Sequence, residues 1–134
     1  MKIIISLVLS AIAILALIGL IIIFILHYVI FPNTATFLVE NTGKEIVETL
    51  EITLYSYEPL GSQYINRILP DEKRELKWDI SGLSSDDGTF RFKLIKDGQV
   101  VDEKTKGYIT NGLVQDRKYV IEINNNELNV ELGG

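Results

Sequence analysis

The chain has no cysteine among its 134 residues. Disulfides, thiolate metal sites, thiol nucleophiles and a lipid anchor carried on cysteine are therefore excluded. There is one histidine, His27, and it sits inside a long apolar run. A downstream domain thus has no imidazole for a Ser-His-Asp triad or a histidine-ligated metal. No Asn-x-Ser/Thr acceptor occurs, and "GLSSDDG" at 82–88 lacks the Gly-Lys-Ser/Thr ending of a phosphate-cradling loop. Positive charge is scarce at the start: after Lys2 the next basic residue is Lys44.

What the first segment does have is hydrocarbon. Residues 3–31, "IIISLVLSAIAILALIGLIIIFILHYVIF", carry no side chain charged at neutral pH. As a helix this run would reach about 44 Å, against about 30 Å of bilayer hydrocarbon. A buried helix of a soluble domain would show a polar outer face, which is absent here. Export signals have a shorter apolar core and a small-x-small cleavage site. "AIA" at 11–13 lies inside the run, and "NTA" at 33–35 puts asparagine where a small residue is needed. The expectation is an uncleaved single-pass anchor over 1–31 and a short linker over 32–34. With Lys2 before the span, the positive-inside rule keeps the N-terminus cytoplasmic and places the following domain in the periplasm or outside the cell. His27 and Tyr28 suit the headgroup region, and Pro32 suits the helix exit. Ser6, Ser10 and Ala13 share one helix face, where small residues permit a helix-mediated oligomer.

Residues 35–134 read differently. They hold 12 basic and 18 acidic residues, a net charge of −6. That balance disfavours nucleic acid and anionic headgroups as partners. Apolar and polar residues alternate in "LEITL" (50–54), "ELKWDI" (75–80), "TFRFKLIK" (89–96) and "ELNVEL" (127–132). The alternation predicts strands whose inner faces carry Leu50, Ile52 and Leu54; Leu76, Trp78 and Ile80; Phe90, Phe92 and Leu94; and Leu128, Val130 and Leu132. Further strands are expected at 35–41, 63–69, 99–106 and 118–123. Turn chemistry punctuates them at 41–44, 70–73, 97–98, 111–112 and 124–126. Asp97-Gly98, set between two alternating runs, predicts a hairpin over 89–106. The expected fold is all-β: an immunoglobulin-like antiparallel β-sandwich of seven or eight strands over 35–134, behind one transmembrane α-helix.

Two stretches carry a family likeness. "ATFLVENTGKEIVETLEITL" (35–54) and "ILPDEKRELKWDI" (68–80) resemble the opening of CARDB-type immunoglobulin-like modules of bacteria and archaea. Asn41, Gly43, Leu69, Pro70 and Glu72 stand where that pattern has its Asn-x-Gly strand end and its Leu-x-Pro-Gly-Glu turn. Asp71 replaces the usual glycine, and Leu69 directly abuts Pro70. The resemblance implies a sandwich fold and a role in binding or surface structure.

No set of groups converges for catalysis, so the chain is expected not to be an enzyme and to need no cofactor. Asp102 and Glu103 are neighbours on a strand and should diverge. "SSDDG" at 84–88 lacks the spaced ligand ladder of a calcium loop and reads as a solvated turn. The remaining candidates are aromatic. In "LYSYEPLGSQY" (54–64), Tyr55 and Tyr57 face away from Leu50, Ile52 and Leu54, and Tyr64 follows a loop containing Pro59 and Gly61. Exposed tyrosines of this kind suit a protein partner. For Tyr108 and Tyr119 the core is an equally open reading. The reading is a membrane-anchored module that binds another envelope protein, with an immunity or inhibitor protein against an envelope-targeting toxin or hydrolase as the alternative.

Overall fold

The computed structural model describes residues 1–26 and 33–133. His27, Tyr28 and Pro32 lie outside them. The chain divides into two units, the second beginning at Asn33.

The first unit contains α1 (Lys2–Ile25), 24 residues long with none buried. It is long and apolar enough to cross a membrane. The Ser10 hydroxyl donates to the Ser6 carbonyl at 2.9 Å, so one polar group of the small-residue face is satisfied within the helix.

The second unit is a two-sheet sandwich. Its strands are β1 (Thr34–Asn41), β2 (Val47–Ser56), β3 (Glu58–Ile68), β4 (Lys73–Asp79), β5 (Gly88–Lys96), β6 (Gln99–Thr110), β7 (Leu113–Val114), β8 (Lys118–Asn124) and β9 (Glu127–Leu132). One sheet has the order β4-β1-β8-β9 and the other β3-β2-β5-β6-β7. All eight long strands are among those expected, four of them from alternation. The two-residue β7 is too short to alternate. Pairing is antiparallel except between β1 and β8, which run parallel. No hairpin joins those two strands, and alternation fixes which face a residue takes, not the direction of a distant neighbour.

The predicted β5–β6 hairpin forms, with Asp97 at φ 52° and Gly98 at φ 73°. Both signs suit a type I′ turn. β3 starts earlier than expected: Pro59, Leu60 and Gly61 belong to the strand, not to a loop. β3 is an edge strand, where a proline that cannot donate to the ladder is tolerated.

The core lies between the sheets and is aromatic at its centre. Phe37, Phe90, Phe92 and Tyr119 are fully buried. Their ring centroids lie 5.0–5.9 Å apart in stacked, tilted and edge-on pairs. Trp78 joins them 5.9 Å from Phe90, on the inward face expected of it. Leu132, expected inside, is 47% exposed because it ends edge strand β9. Asp102 and Glu103 do diverge. Asp102 Oδ2 accepts from the Leu128 amide at 2.8 Å and links the two sheets, while Glu103 pairs outward with Arg91. The Leu128 amide, the Glu103 amide and Lys104 together hold the Asp102 carboxyl below its ordinary range.

The motif positions of the family likeness serve the turns at one end. Buried Asn41 donates to the carbonyls of Glu45 and Ile68 and accepts from the Gly43 amide. A side chain at Gly43 would meet the Asn125 amide at 2.5 Å, so this turn requires glycine. Asp71, standing where the pattern has glycine, has φ 64°, which aspartate tolerates better than most residues. Glu72 accepts from the Leu69 amide and pairs with Arg74, and both contacts lower its pKa, Arg74 the more.

Candidate functional site

The opposite end of the sandwich holds a different arrangement. Here the chain enters the domain. The Asn33 side chain donates to the Gly112 carbonyl and accepts from the Val114 amide, both at 2.8 Å. β2 turns into β3 through a tight reversal at Tyr57, where Ser56 pairs with Glu58. Tyr57 has φ 59° and is 88% exposed. Glycine, asparagine or aspartate fill such a position at little cost; a bulky aromatic there is strained by about 1–2 kcal/mol. The fold holds this ring out in water on a backbone that does not suit it.

Two β-bulges flank that turn. The β2–β3 ladder shifts register between Leu54 and Tyr55, leaving Leu60 as the extra residue. The β5–β6 ladder shifts between Gly88 and Phe90, so Gly107 and Tyr108 together oppose Thr89. Gly107 has φ 86°, the left-handed glycine of a G1 bulge. Without that extra residue Tyr108 would share the inner face with Asp102, Lys104 and Lys106. The bulge reverses the alternation, turning Ile109 into the core and Tyr108 out to 74% exposure. Of the two tyrosines left open between core and surface, Tyr119 is in the core and Tyr108 is exposed.

Between these features lies an open groove of about 360 Å³ lined by Tyr55, Ser56, Tyr57, Asp87, Gly88, Thr89, Tyr108, Ile109 and Thr110. Its floor is tied down by backbone contacts. The Ser56 hydroxyl donates to the Asp87 carbonyl at 2.5 Å, and Thr89 donates to the Gly107 carbonyl at 2.9 Å. Asp87 Oδ1 accepts from the Asn111 amide, and Gly112 donates to the Asp86 carbonyl. A side chain at Gly88 would meet the Tyr55 carbonyl at 2.7 Å, so the two strands approach here at a distance only glycine permits. Asp116 Oδ2 receives the Tyr108 amide at 3.0 Å and fixes that wall. Tyr55 is half-buried, with the Arg91 guanidinium 4.1 Å from its ring centroid.

Of the three tyrosines singled out in the sequence, Tyr55 and Tyr57 meet at the groove. Tyr64 does not. It is 56% exposed and pairs with Glu51, four residues along β2 from Tyr55. Tyr108 takes its place. The signal for it was Gly107 within an otherwise alternating run, since an isolated glycine in a strand marks a bulge. Among the described residues no three carboxylates or histidines cluster as a metal site; one Asp87 carboxylate oxygen and the Asp86 main-chain carbonyl accept from the 111–112 turn. The groove hydroxyls of Ser56 and Thr89 are committed to main-chain carbonyls. Such a surface offers rigid aromatic contact area.

The strain at residue 57 gives a direct test. Tyr57→Gly should raise the unfolding free energy by about 0.5–1 kcal/mol, the relieved strain less the extra freedom glycine gains when unfolded. Denaturant titration of the full chain in detergent, read from the one tryptophan, Trp78, in the core, measures it. A loss of stability would mean that the Tyr57 ring packs against the fold and is no free anchor.

Compared with known proteins, the sequence matches no family model and no curated protein.

Proposed function

We propose that this chain is a membrane-anchored, non-enzymatic β-sandwich that binds another protein of the cell envelope, as an accessory or assembly subunit. In this reading α1 is a retained single-pass anchor, the N-terminus is cytoplasmic, and the sandwich lies in the periplasm or outside the cell. The partner docks at the groove of Tyr55, Tyr57 and Tyr108. The observation that carries the reading is Tyr57: an exposed ring at positive φ, between two bulges that re-aim its neighbours. Local strain of this kind persists where a side chain is needed for contact. The CARDB-like pattern of residues 35–80 supports a binding role as well.

Photo-crosslinking in cells tests this. With benzoylphenylalanine in place of Tyr57 or Tyr108, one envelope protein should be captured. The same label at Val100, at the far end of β6, should capture none. Equal labelling from all three positions, or no adduct from 57 and 108, would overturn the site. A toxin or hydrolase in the adduct would assign the immunity role instead.

A further inference from the structure

We infer that the groove takes a cationic segment: an extended stretch of the partner that lays an arginine or lysine side chain across Tyr57 and Tyr108. The inference rests on the reading of the groove as a protein-binding site.

The first ground is aromatic. Tyr57 and Tyr108 are the most exposed large hydrophobic side chains of the sandwich, and both border the groove. Ring faces attract ammonium and guanidinium groups. The groove already contains one such contact, because Arg91 of the chain itself lies 4.1 Å above Tyr55.

The second ground is charge. Four carboxylates from three separate segments belong to the groove-lining residues or adjoin them in sequence or by a hydrogen bond. Glu58 follows Tyr57 in the turn, Asp86 and Asp87 form the loop beneath, and Asp116 holds the Tyr108 amide. None of the four forms an ion pair among the described residues. Of the other fourteen carboxylates, Glu40, Glu45, Glu72, Glu75, Asp102 and Glu103 lie within 4.0 Å of a lysine or arginine nitrogen and, among the described residues, eight do not, so what sets these four apart is their grouping beside exposed tyrosines. No basic residue is among those lining the groove: Arg91, over the Tyr55 ring, is paired with Glu103, and Lys106 and Arg117 lie farther along the same segments. The acids at the groove are therefore left uncompensated by the chain, and a cationic partner complements them. An acidic segment would meet like charge, and a purely apolar one would leave the carboxylates unanswered.

The test uses the full chain in phosphatidylcholine nanodiscs, which add no net lipid charge. Three fluorescein-labelled Gly-Ser peptides of equal length are compared by anisotropy: one with three arginines, one with three glutamates and one neutral. The arginine peptide should bind, and bind more weakly as salt rises. Tyr57→Gly combined with Tyr108→Ser should weaken it at least tenfold. Asp87→Asn, which keeps an acceptor for the Asn111 amide, should weaken it severalfold. Glu131→Gln on β9 removes the same charge elsewhere and should leave binding unchanged. Tyr57→Gly alone, a variant expected to fold at least as well, should already weaken binding.

Binding that survives the tyrosine substitutions would reduce the effect to general attraction by an acidic domain and overturn the inference. So would equal binding of the neutral or glutamate peptide, or equal loss from Glu131→Gln and Asp87→Asn. Crosslinking from position 57 separates the two levels. An adduct whose captured segment is neutral or acidic leaves the binding role standing and removes the cationic class. No adduct removes both.

Discussion

Truncating Phe37 to alanine is expected to cost about 3–5 kcal/mol of unfolding free energy, enough to unfold much of the population of a domain this size. Phe37 is fully buried on β1, the central strand that pairs with both β4 and β8. Its ring is stacked on Tyr119 at 5.0 Å and meets Phe90 and Phe92 edge-on at 5.2 and 5.8 Å. Those partners belong to both sheets, so the ring joins the sandwich across its middle. Each aromatic pair adds about 0.5–1.5 kcal/mol beyond the area it buries. The neighbours are themselves rigid rings, which limits how far the cavity can collapse and places the loss toward the upper end. Phe37→Leu keeps most of the volume and should cost about 1–1.5 kcal/mol. Urea titration followed through Trp78 measures both. An alanine cost below about 1 kcal/mol would show that the two sheets do not depend on this cluster.

The sandwich was legible because its strands are half-buried. Alternation in 50–54, 75–80, 89–96 and 127–132 reports a buried face directly, and Leu50, Ile52, Phe90, Phe92 and Trp78 all lie inside. The apolar run was legible for the opposite reason, since it has no polar face at all. Parallel pairing of β1 with β8 was not readable, because a side-chain pattern does not encode a neighbour's direction. The site was only half readable. Tyr55 and Tyr57 follow from strand parity. Tyr108 depends on a bulge that breaks parity, and Tyr64 was placed with the others because Pro59 and Gly61 suggested a loop where an edge strand continues. Tyr108 and the unforeseen start of β3 thus fall at register shifts that border the groove, where the ladder departs from a period of two; a third shift, between Leu94 and Ile95, lies near the Asp97-Gly98 turn.

Gly107→Ala is expected to destabilise the domain by about 2–5 kcal/mol, from two sources that can be separated. The backbone at Gly107 has φ 86°, where any side chain is strained. The added methyl would also meet Tyr119 Oη at 1.9 Å. Tyr119 cannot retreat, being fully buried and stacked on Phe37. Tyr119→Phe removes that oxygen, yet the ring carbons Cζ and Cε1 would still lie 2.7 and 2.9 Å from the methyl. The double variant should therefore recover only part of the loss, with a coupling of about 1 kcal/mol. Tyr119→Phe alone should be neutral or stabilising by up to about 1 kcal/mol, because Tyr119 Oη is buried with no hydrogen-bond partner among the described residues. The same oxygen governs alkaline stability. Burial, and secondarily the charge of Asp116, push the phenol well above its ordinary value of 10.0. The folded state keeps the proton while the unfolded chain releases it near pH 10, so this contribution is intact below pH 10 and is lost as pH rises. The limiting slope is about 1.4 kcal/mol per pH unit. Unfolding free energies of the parent chain and Tyr119→Phe should run parallel up to about pH 10 and separate above it, the parent falling faster. Curves that stay parallel into strong base would mean that water reaches Tyr119 Oη, and the wall formed by Gly107 and Tyr108 would then be looser than the bulge geometry requires.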